Sequence, residues 1–415
     1  MNSYDAEVYR NFLLASGWLE TDQINDALLV MVNTCAVRQK SVDKAKNFIL
    51  RLQHLKKERS FYVGLTGCAS SLDDFEKLIK KGSVDFYHGP LNAMEVPESF
   101  KEFTGNLYSC SNKITATYQK KSSISAYLPI IHGCNSFCSY CIVPLVRGRE
   151  ISIPFDILHK TIRQGVSEGI KEWLLLGQNV NHYGMDFKQK ITFSSLMNKI
   201  ASIDGVLRLD FITSHPKEFE EDLLKVMQDH PTIYRHFHLP LQSGDDEILL
   251  RMKRGYTVAR YESVIEKIRH YFPNASLTTD IIVGFPGETA KSFDNTMQFI
   301  EKIKFDTVYA AVYSHRPGTL SSTFPDILNP EYSKKQLQEL LDMQKNIARI
   351  QLKRFLNSTN EVFILSSKGA HTYEGKTLEE KSIIVSSTHE LKAGDLAKVS
   401  IESIKKGVLH GSVLV

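Results

Sequence analysis

The chain has 415 residues, of which 42% are hydrophobic and 24% charged, and its formal net charge is +4 at pH 7. This length allows two or three domains with buried cores, and the composition is typical of a globular protein. The near balance of charge excludes a uniformly basic nucleic-acid binder, so any affinity for RNA must come from local basic surface. No apolar run is long enough to span a bilayer and no secretory signal follows Met1, so we expect a cytoplasmic protein without a membrane partner.

The first 111 residues alternate helical patterns with short apolar runs at 28–33 and 62–66. This alternation predicts βα units around a small parallel sheet, and we assign residues 1–111 to an amino-terminal domain. Residues 112–125 carry lysine, serine and threonine but little to bury, which predicts a linker.

Six short apolar runs, separated by helical patterns, dominate residues 126–330. The runs lie at 127–131, 173–176, 207–212, 236–241, 276–283 and 307–313. Strands with helical crossovers predict a parallel sheet curled into a partial (β/α)6 barrel. The polar residues associated with the ends of these strands are Gln178, Asn179, Ser214, Gln242 and Asp280. Loops at the carboxyl ends of barrel strands form the active site, so these side chains are candidate cofactor ligands, although helix capping or loop structure explains each one equally well.

The last third of the sequence changes pattern twice. Residues 331–357 have apolar and basic residues at helical spacing and predict one long helix, which completes a barrel domain of residues 126–355. Residues 356–415 contain short alternating runs at 361–365, 382–385, 396–401 and 411–415. Turn residues separate these runs, which predicts a small five-stranded β-barrel. The fold class is therefore α/β, with a βα sheet domain, a partial barrel and a small β-barrel.

Three of the six cysteines, Cys134, Cys138 and Cys141, form a Cys-x3-Cys-x2-Cys motif after the first predicted barrel strand. Such sparse, clustered cysteines indicate a reducing compartment and metal ligation. Three thiolates can bind a [4Fe–4S] cluster and leave one iron open for S-adenosylmethionine (SAM), whose reductive cleavage gives a carbon radical. A zinc knuckle is the alternative, but it usually recruits a fourth ligand nearby, and His132 is expected on the opposite strand face from Gly133.

Further short sequence segments accompany this motif in a distinctive order along the chain. They are residues 33–38 (Asn-Thr-Cys-Ala-Val-Arg), 67–68, 133–148, 176–181 (Leu-Gly-Gln-Asn-Val-Asn), 213–216, 239–244, 252–257, 280, 282–288, 313–314 and 316–319. Together they resemble the methylthiotransferase family of radical SAM enzymes over almost the whole chain. Within that family, the similarity is greatest to the tRNA enzymes that add a methylthio group to carbon 2 of isopentenyl-modified adenosine beside the anticodon. The resemblance implies an amino-terminal methylthiotransferase domain, a radical SAM barrel and a carboxyl-terminal RNA-binding β-barrel of the TRAM type.

The family carries a second [4Fe–4S] cluster in its amino-terminal domain, and Cys35 and Cys68 match two of its three cysteine ligands. Each follows a short apolar run, so we expect both at the carboxyl edge of one sheet. Taken alone, either cysteine is better explained as a small buried apolar side chain, whereas beside the radical motif the ligand interpretation is favoured. Cys110 lies near the linker, matches no family ligand and is interpreted as a spare thiol.

The resemblance is incomplete at Met1. In the family, the third ligand lies in a Gly-Cys-Gln-Met-Asn stretch that closes the first strand, and Met1-Asn2 matches only its end. Losing a strand of a small parallel sheet exposes backbone groups and apolar surface, so we expect the natural start to lie upstream. The alternative is that the chain does begin at Met1. The second cluster would then have only two protein ligands, and the protein would bind RNA without methylthiolation.

By the resemblance, the cofactors are two [4Fe–4S] clusters and SAM, and the protein is a monomer that takes electrons from a flavodoxin- or ferredoxin-type donor. Its substrate is a tRNA anticodon stem-loop with the target base splayed out. Arg147, Arg149, Lys253 and Arg254 are interpreted as phosphate contacts, although a solvated basic face explains each equally well. Methylthiolation of threonylcarbamoyl-adenosine in tRNA, or of a ribosomal-protein aspartate, stays open. No residue is assigned a catalytic role.

Overall fold

The computed structural model describes residues 2–36, 39–70, 73–90, 96–105, 118–326 and 328–414. The chain divides into two compact units. The first comprises Met1–Gln119, Ile131–Ile151 and Ser314–Ser322, and the second comprises Lys120–Ile130, Ser152–Tyr313 and Thr323–Val415. This division crosses the predicted domain boundaries, because the cysteine motif groups with the amino-terminal segment and the carboxyl-terminal residues group with the parallel strands.

The regular elements follow one another as short strands and amphipathic helices. The strands are β1 (Leu29–Thr34), β2 (Tyr62–Gly67), β3 (Phe86–Tyr87), β4 (Gln119–Lys120), β5 (Ser125–Pro129), β6 (Ile131–His132), β7 (Ile151–Ser152), β8 (Glu172–Leu176), β9 (Arg208–Phe211), β10 (His236–His238), β11 (Ser276–Val283), β12 (Thr307–Val312), β13 (Thr359–Gly369), β14 (Thr372–Thr377), β15 (Ser382–Ser386), β16 (Leu396–Lys405) and β17 (Val408–Val413). The helices are α1 (Asn2–Ala15), α2 (Gln39–Leu55), α3 (Asp73–Lys80), α4 (Glu98–Gly105), α5 (Val143–Arg147), α6 (Phe155–Ser167), α7 (Phe193–Ala201), α8 (Asp222–Asp229), α9 (Asp246–Arg251), α10 (Val258–Tyr271), α11 (Ala290–Ile303) and α12 (Pro330–Leu352). None of these helices has the length and apolar character needed to cross a membrane.

The first unit is built on a small parallel sheet, as the sequence predicts, and the structure gives its strand order as β1-β2-β3. Helix α2 buries Val42, Ala45, Ile49 and Leu52, whose spacing of three or four residues places them on one helical face. This face packs in the same core as the β2 residues Val63 and Leu65, and the core positions the carboxyl ends of β1 and β2.

Six strands of the second unit run parallel and alternate with helices, as predicted. One sheet has the order β4-β5-β8-β9 and another the order β10-β11-β12, and a parallel bridge joins Leu209 to Ile233 between them. The first parallel strand is displaced from its predicted place at 127–131, since β5 ends at Pro129. Of the predicted linker, residues 112–117 lie outside the described residues, and part of the remainder forms β4, which joins the sheet.

The carboxyl-terminal segment forms a closed five-stranded barrel in the order β13-β14-β15-β17-β16, which confirms the predicted barrel. The sequence runs omit β14, because its buried positions are Tyr373, Gly375 and Thr377, of which one carries a large apolar side chain. A Cβ atom on Gly375 would lie 2.5 Å from Val362 Cγ1, so the glycine allows close packing that an apolar residue would prevent. Helix α12 is shorter than predicted and ends at Leu352.

The turn between β14 and β15 packs against residues that begin the parallel strands. The backbone N–H of Arg235 donates to Leu378 O at 2.7 Å, and Lys381 Nζ donates to Ser276 Oγ at 2.9 Å. Lys381 also lies 2.7 Å from Asp306. The β-barrel therefore closes the amino-terminal end of the parallel strands and leaves the opposite end to the polar loops.

Candidate functional site

The three motif cysteines lie on the tight loop that leads from β6 to α5. Gly133 has a φ of +71°, and a Cβ there would lie 2.1 Å from Arg149 O, so only glycine allows this approach. The N–H of Cys134 donates to Gly148 O at 3.2 Å, and the N–H of Cys141 donates to Cys138 O at 3.0 Å. These contacts return the chain on itself and bring the three cysteines into one loop.

The loop suits an iron–sulfur cluster. Cys134 and Cys138 are buried and Cys141 is half-buried, and the N–H of Ser136 already donates to Cys134 Sγ at 3.4 Å. Backbone donors to cysteine sulfur are typical of cluster sites, where they stabilise the negative charge of the ligands. Burial raises the pKa of the Cys134 thiol, so a bound metal ion is what would make it a thiolate.

Cys35 and Cys68 directly follow Thr34 and Gly67, which are opposite each other at the ends of β1 and β2. Thr34 Oγ1 donates to Thr66 O at 3.0 Å and ties the strand ends together. A Cβ on Gly67, whose φ is +91°, would lie 2.4 Å from Thr34 O. The predicted meeting of these two cysteines at one sheet edge is therefore confirmed.

Arg147, at the end of α5, links this sheet edge to the cysteine loop. Its Nε donates to Cys68 Sγ at 3.1 Å and its Nη2 donates to Asp5 Oδ2 at 2.6 Å. The side chains of Arg147 and Asp5 are 2% and 0% exposed, so the ion pair is shielded from solvent. We call Asp5, Cys68 and Arg147 the Arg147 cluster. Sequence reasoning missed it, because nothing in the motif signals that this arginine is buried.

Two polar side chains lie in the loops that directly follow β8 and β9 of the second unit. Gln178 Oε1 and Ser214 Oγ are buried and lack a hydrogen-bond partner among the residues that the structure describes. Buried polar atoms are nearly always paired, so these two suit the polar groups of a ligand such as SAM. Asn179 instead accepts the backbone N–H of His215 at 3.3 Å, which orders the loop.

Gln242 follows β10, and Asp280 lies within the neighbouring strand β11 of the same unit. Gln242 has a φ of +74°, and its backbone N–H donates to Asp280 O at 2.8 Å. Asp280 Oδ2 lies 3.5 Å from Nε2 of His238, whose Nδ1 accepts the N–H of Thr213 at 3.2 Å. His238 was missed in the sequence, although its place in the alternating stretch His-Phe-His of β10 puts it on the same face as His236.

The structure corrects two of the predicted phosphate contacts. Arg147 is buried in its cluster, and Arg254 is 5% exposed, with Nη2 donating to Pro240 O at 2.9 Å and Nε to Tyr256 Oη at 3.1 Å. Both guanidinium groups are thus already paired inside the protein. Arg149 and Lys253 are exposed, and the Arg149 guanidinium lies 4.4 Å from the ring centroid of Phe137. Cys110 lies outside the described residues.

A second group of ionisable side chains consists of the buried Asp210 and His236 and the half-buried Glu380 and Lys376, which we call the His236 cluster. His236 Nδ1 lies 3.3 Å from Asp210 Oδ2 and 3.2 Å from Glu380 Oε2. Lys376 Nζ lies 2.6 Å from Glu380 Oε1. Burial disfavours the charged ring, yet the Asp210 carboxylate raises the pKa of His236 above its ordinary value. The cluster can therefore be balanced by a proton on His236 without a metal ion.

Comparisons with known proteins agree with this geometry. Residues 128–300 match the radical SAM superfamily, and residues 1–89 match the uncharacterized protein family UPF0004. A solved structure, the radical S-adenosylmethionine methyltransferase TsrM from Kitasatospora setae, is similar in fold, with a TM-score of 0.54 and 13% identity over 77% of this chain and 68% of that one. The parallel strands and the three-cysteine loop thus define a radical SAM protein.

Relatives that span the whole chain narrow the class further. The tRNA-2-methylthio-N(6)-dimethylallyladenosine synthase of Acetivibrio thermocellus is 35% identical over 100% of this chain and 89% of its own length. The synthase of the same name from Thermus thermophilus is 35% identical over 100% of this chain and 90% of its own length. The chain belongs to the family of tRNA-2-methylthio-N(6)-dimethylallyladenosine synthases.

Proposed function

We propose that this protein adds a methylthio group to carbon 2 of isopentenyl-modified adenosine beside the anticodon of tRNA. The observation that carries the proposal is the placement of both cysteine sets in one compact unit. Cys134, Cys138 and Cys141 share a loop, and Cys35 and Cys68 end adjacent parallel strands. The family membership of the whole chain supplies the substrate class.

Each group of residues has a part in this function. Cys134, Cys138 and Cys141 would hold one [4Fe–4S] cluster, and Cys35 and Cys68 would contribute to a second. A cluster with SAM supplies a carbon radical that removes hydrogen from a C–H bond. Gln178 and Ser214, whose buried oxygens have no partner among the described residues, would bind polar groups of SAM, and Gln242 and Asp280 would face the same ligand.

RNA binding is proposed for the five-stranded barrel and for exposed cations. Small β-barrels of this size are frequent RNA-binding modules, which supports a TRAM-type role for β13–β17. Arg149 and Lys253 keep their charge at the surface and would contact phosphate. A tRNA substrate also supports a cytoplasmic location. The reductive cleavage of SAM needs an electron from outside the protein, for which we propose a donor of flavodoxin or ferredoxin type.

The iron and sulfide content of anaerobically reconstituted protein tests the metal centres. We expect roughly eight irons per chain for two [4Fe–4S] clusters. Substitution of Cys134, Cys138 and Cys141 by alanine should remove about half of the iron, and the double variant Cys35→Ala/Cys68→Ala should remove the other half. Loss of all iron with the first set alone would exclude the second cluster and, with it, methylthiolation.

Modified-nucleoside analysis of tRNA tests the substrate. A deletion strain should accumulate isopentenyl-adenosine without its methylthio group, and the intact gene should restore the group. Accumulation of unmodified threonylcarbamoyl-adenosine, or loss of a ribosomal-protein modification with normal tRNA, would assign the chain to one of the two related activities. If tRNA and the ribosomal protein both kept their normal modifications in the deletion strain, the remaining function would be RNA binding without methylthiolation.

A further inference from the structure

We propose that Arg147 is a positioning residue that connects the radical SAM cysteine loop to the second metal centre and tunes that centre through Cys68. The inference rests on the proposed function in one respect, namely that Cys68 is a ligand of the second cluster. From the sequence alone, Arg147 is interpreted as a contact to RNA phosphate.

The guanidinium of Arg147 joins three segments of the first unit. Helix α5 begins two residues after Cys141 and carries Arg147 at its last position. From there, Nε donates to Cys68 Sγ at 3.1 Å and Nη2 donates to Asp5 Oδ2 at 2.6 Å. The planar fork of arginine fixes the angle between these two bonds, which the point charge of a lysine cannot do.

The guanidinium is surrounded by polar atoms that no described residue pairs. Asp5 Oδ1 and both ring nitrogens of His132 are buried and lack hydrogen-bond partners among the described residues. The ring of His132 lies against Tyr4, with centroids 6.4 Å apart, and Tyr4 precedes Asp5. Because buried polar groups are almost always paired, this environment suits a further polar group beside Cys68.

An N–H donor to a ligand sulfur has a defined effect on an iron–sulfur cluster. The hydrogen bond stabilises the more negative, reduced state and therefore raises the reduction potential. Groups that hold a metal ligand in this way also fix its orientation. Since α5 follows the cysteine loop directly, ordering that loop also places the donor on Cys68.

The test uses the full chain in a background that contains only the second centre. Cys134, Cys138 and Cys141 are replaced by alanine, and Arg147→Gln and Arg147→Lys are added separately. Arg149→Gln is the matched control, because Arg149 lies just two residues after Arg147 in the sequence but has its guanidinium against the ring of Phe137. The readouts are iron and sulfide content and the midpoint potential from a redox titration followed by electron paramagnetic resonance.

We expect Arg147→Gln to shift the midpoint potential of the second centre to a more negative value, with a smaller negative shift for Arg147→Lys and none for Arg149→Gln. An unchanged potential in folded Arg147 variants overturns the inference and leaves the two-cluster proposal intact. No cluster in the background protein overturns the second centre itself. If both Arg147 variants fail to fold while Arg149→Gln folds, Arg147 is a structural residue and the inference is overturned.

Discussion

The Arg147 cluster is a buried ionic group and the His236 cluster a partly buried one, and their polar atoms are paired to different degrees. In the His236 cluster, Nδ1 of the ring faces two carboxylates, and Nε2 lies 3.1 Å from Thr278 Oγ1. In the Arg147 cluster, Asp5 keeps one oxygen without a partner in the described part of the chain. A buried ion group that is complete serves the fold, whereas one that is incomplete indicates a site that a further group completes.

The largest expected effect is the difference in activity between a substitution in the cysteine loop and one in the His236 cluster. Cys138→Ala should abolish methylthiolation and remove roughly four irons, because Cys138 is one of the residues that would hold the cluster whose open iron binds SAM. Glu380→Gln, in the His236 cluster, should retain iron and activity per folded molecule. Iron analysis and tRNA nucleoside analysis check both variants. Equal loss of activity in the two would contradict a purely supporting role for the His236 cluster.

The next effect concerns the ion pair itself. Asp5→Asn leaves Arg147 buried beside a neutral amide, and breaking a buried pair from one side costs about 3–5 kcal/mol. Glu7→Gln is the control on the same helix, since Glu7 pairs with the exposed Arg10 and should change stability by less than about 1 kcal/mol. Denaturant unfolding of the metal-free protein measures the difference. Equal effects would show that burial adds nothing to the pair.

A smaller loss of stability is expected in the His236 cluster. Glu380→Gln removes one charge but leaves Asp210 opposite the ring, so the cost should be about 1–3 kcal/mol. Glu374→Gln, whose partner Lys368 is 52% exposed, should cost less than about 1 kcal/mol. The same denaturant measurement applies. A larger cost than that of Asp5→Asn would reverse the ranking of the two clusters.

The His236 cluster should also respond to pH. The pKa of His236 in the folded protein is above its ordinary value of 6.5. The folded state therefore binds the proton more tightly, and this stabilisation is complete below pH 6.5 and disappears as pH rises through the folded-state pKa. Asp210, Glu380, Lys376 and Lys381 are the charged groups around the ring. The stability difference between wild type and His236→Gln should therefore shrink as the pH rises above 6.5. A difference that grows would contradict a protonated ring.

The smallest effect distinguishes surface charge from buried charge. Lys253→Ala should weaken tRNA binding modestly and reduce the slope of log affinity against log salt by about 1. Its sequence neighbour Arg254, replaced by alanine, should lower stability instead, since its bonds to Pro240 and Tyr256 are internal. Binding measured at several salt concentrations, together with thermal unfolding, checks the pair. An unchanged salt slope for Lys253→Ala would remove this residue from the RNA surface.

The sequence predicts those features that depend on local pattern. Alternation and helical spacing predict the parallel strands, and the Cys-x3-Cys-x2-Cys spacing identifies the loop at Cys134. Burial of a charge is different, because it depends on distant segments: Arg147 lies in the same short motif as the exposed Arg149, and only contacts with Asp5 and Cys68 distinguish the two. Strand β14 was missed for a related reason. The residue that packs closely against Val362 of the neighbouring strand is Gly375, which has no apolar side chain to indicate a buried strand position.

The position of β17 in the small barrel also affects how the protein is made. Strand β17 lies between β15 and β16, so the barrel cannot close before Val413 has left the ribosome. Until then, the turn that carries Glu380 and Lys381 has no closed barrel to hold it, and His236 and Asp306 lack the partners that it supplies. Domains generally form in the order of synthesis, at about 5–20 residues per second. Until β17 has been translated, the base of the parallel strands therefore lacks these two ionic contacts, and Asp210 and Asp306 rely, within the described part of the chain, on their ion pairs with His236 and Arg354.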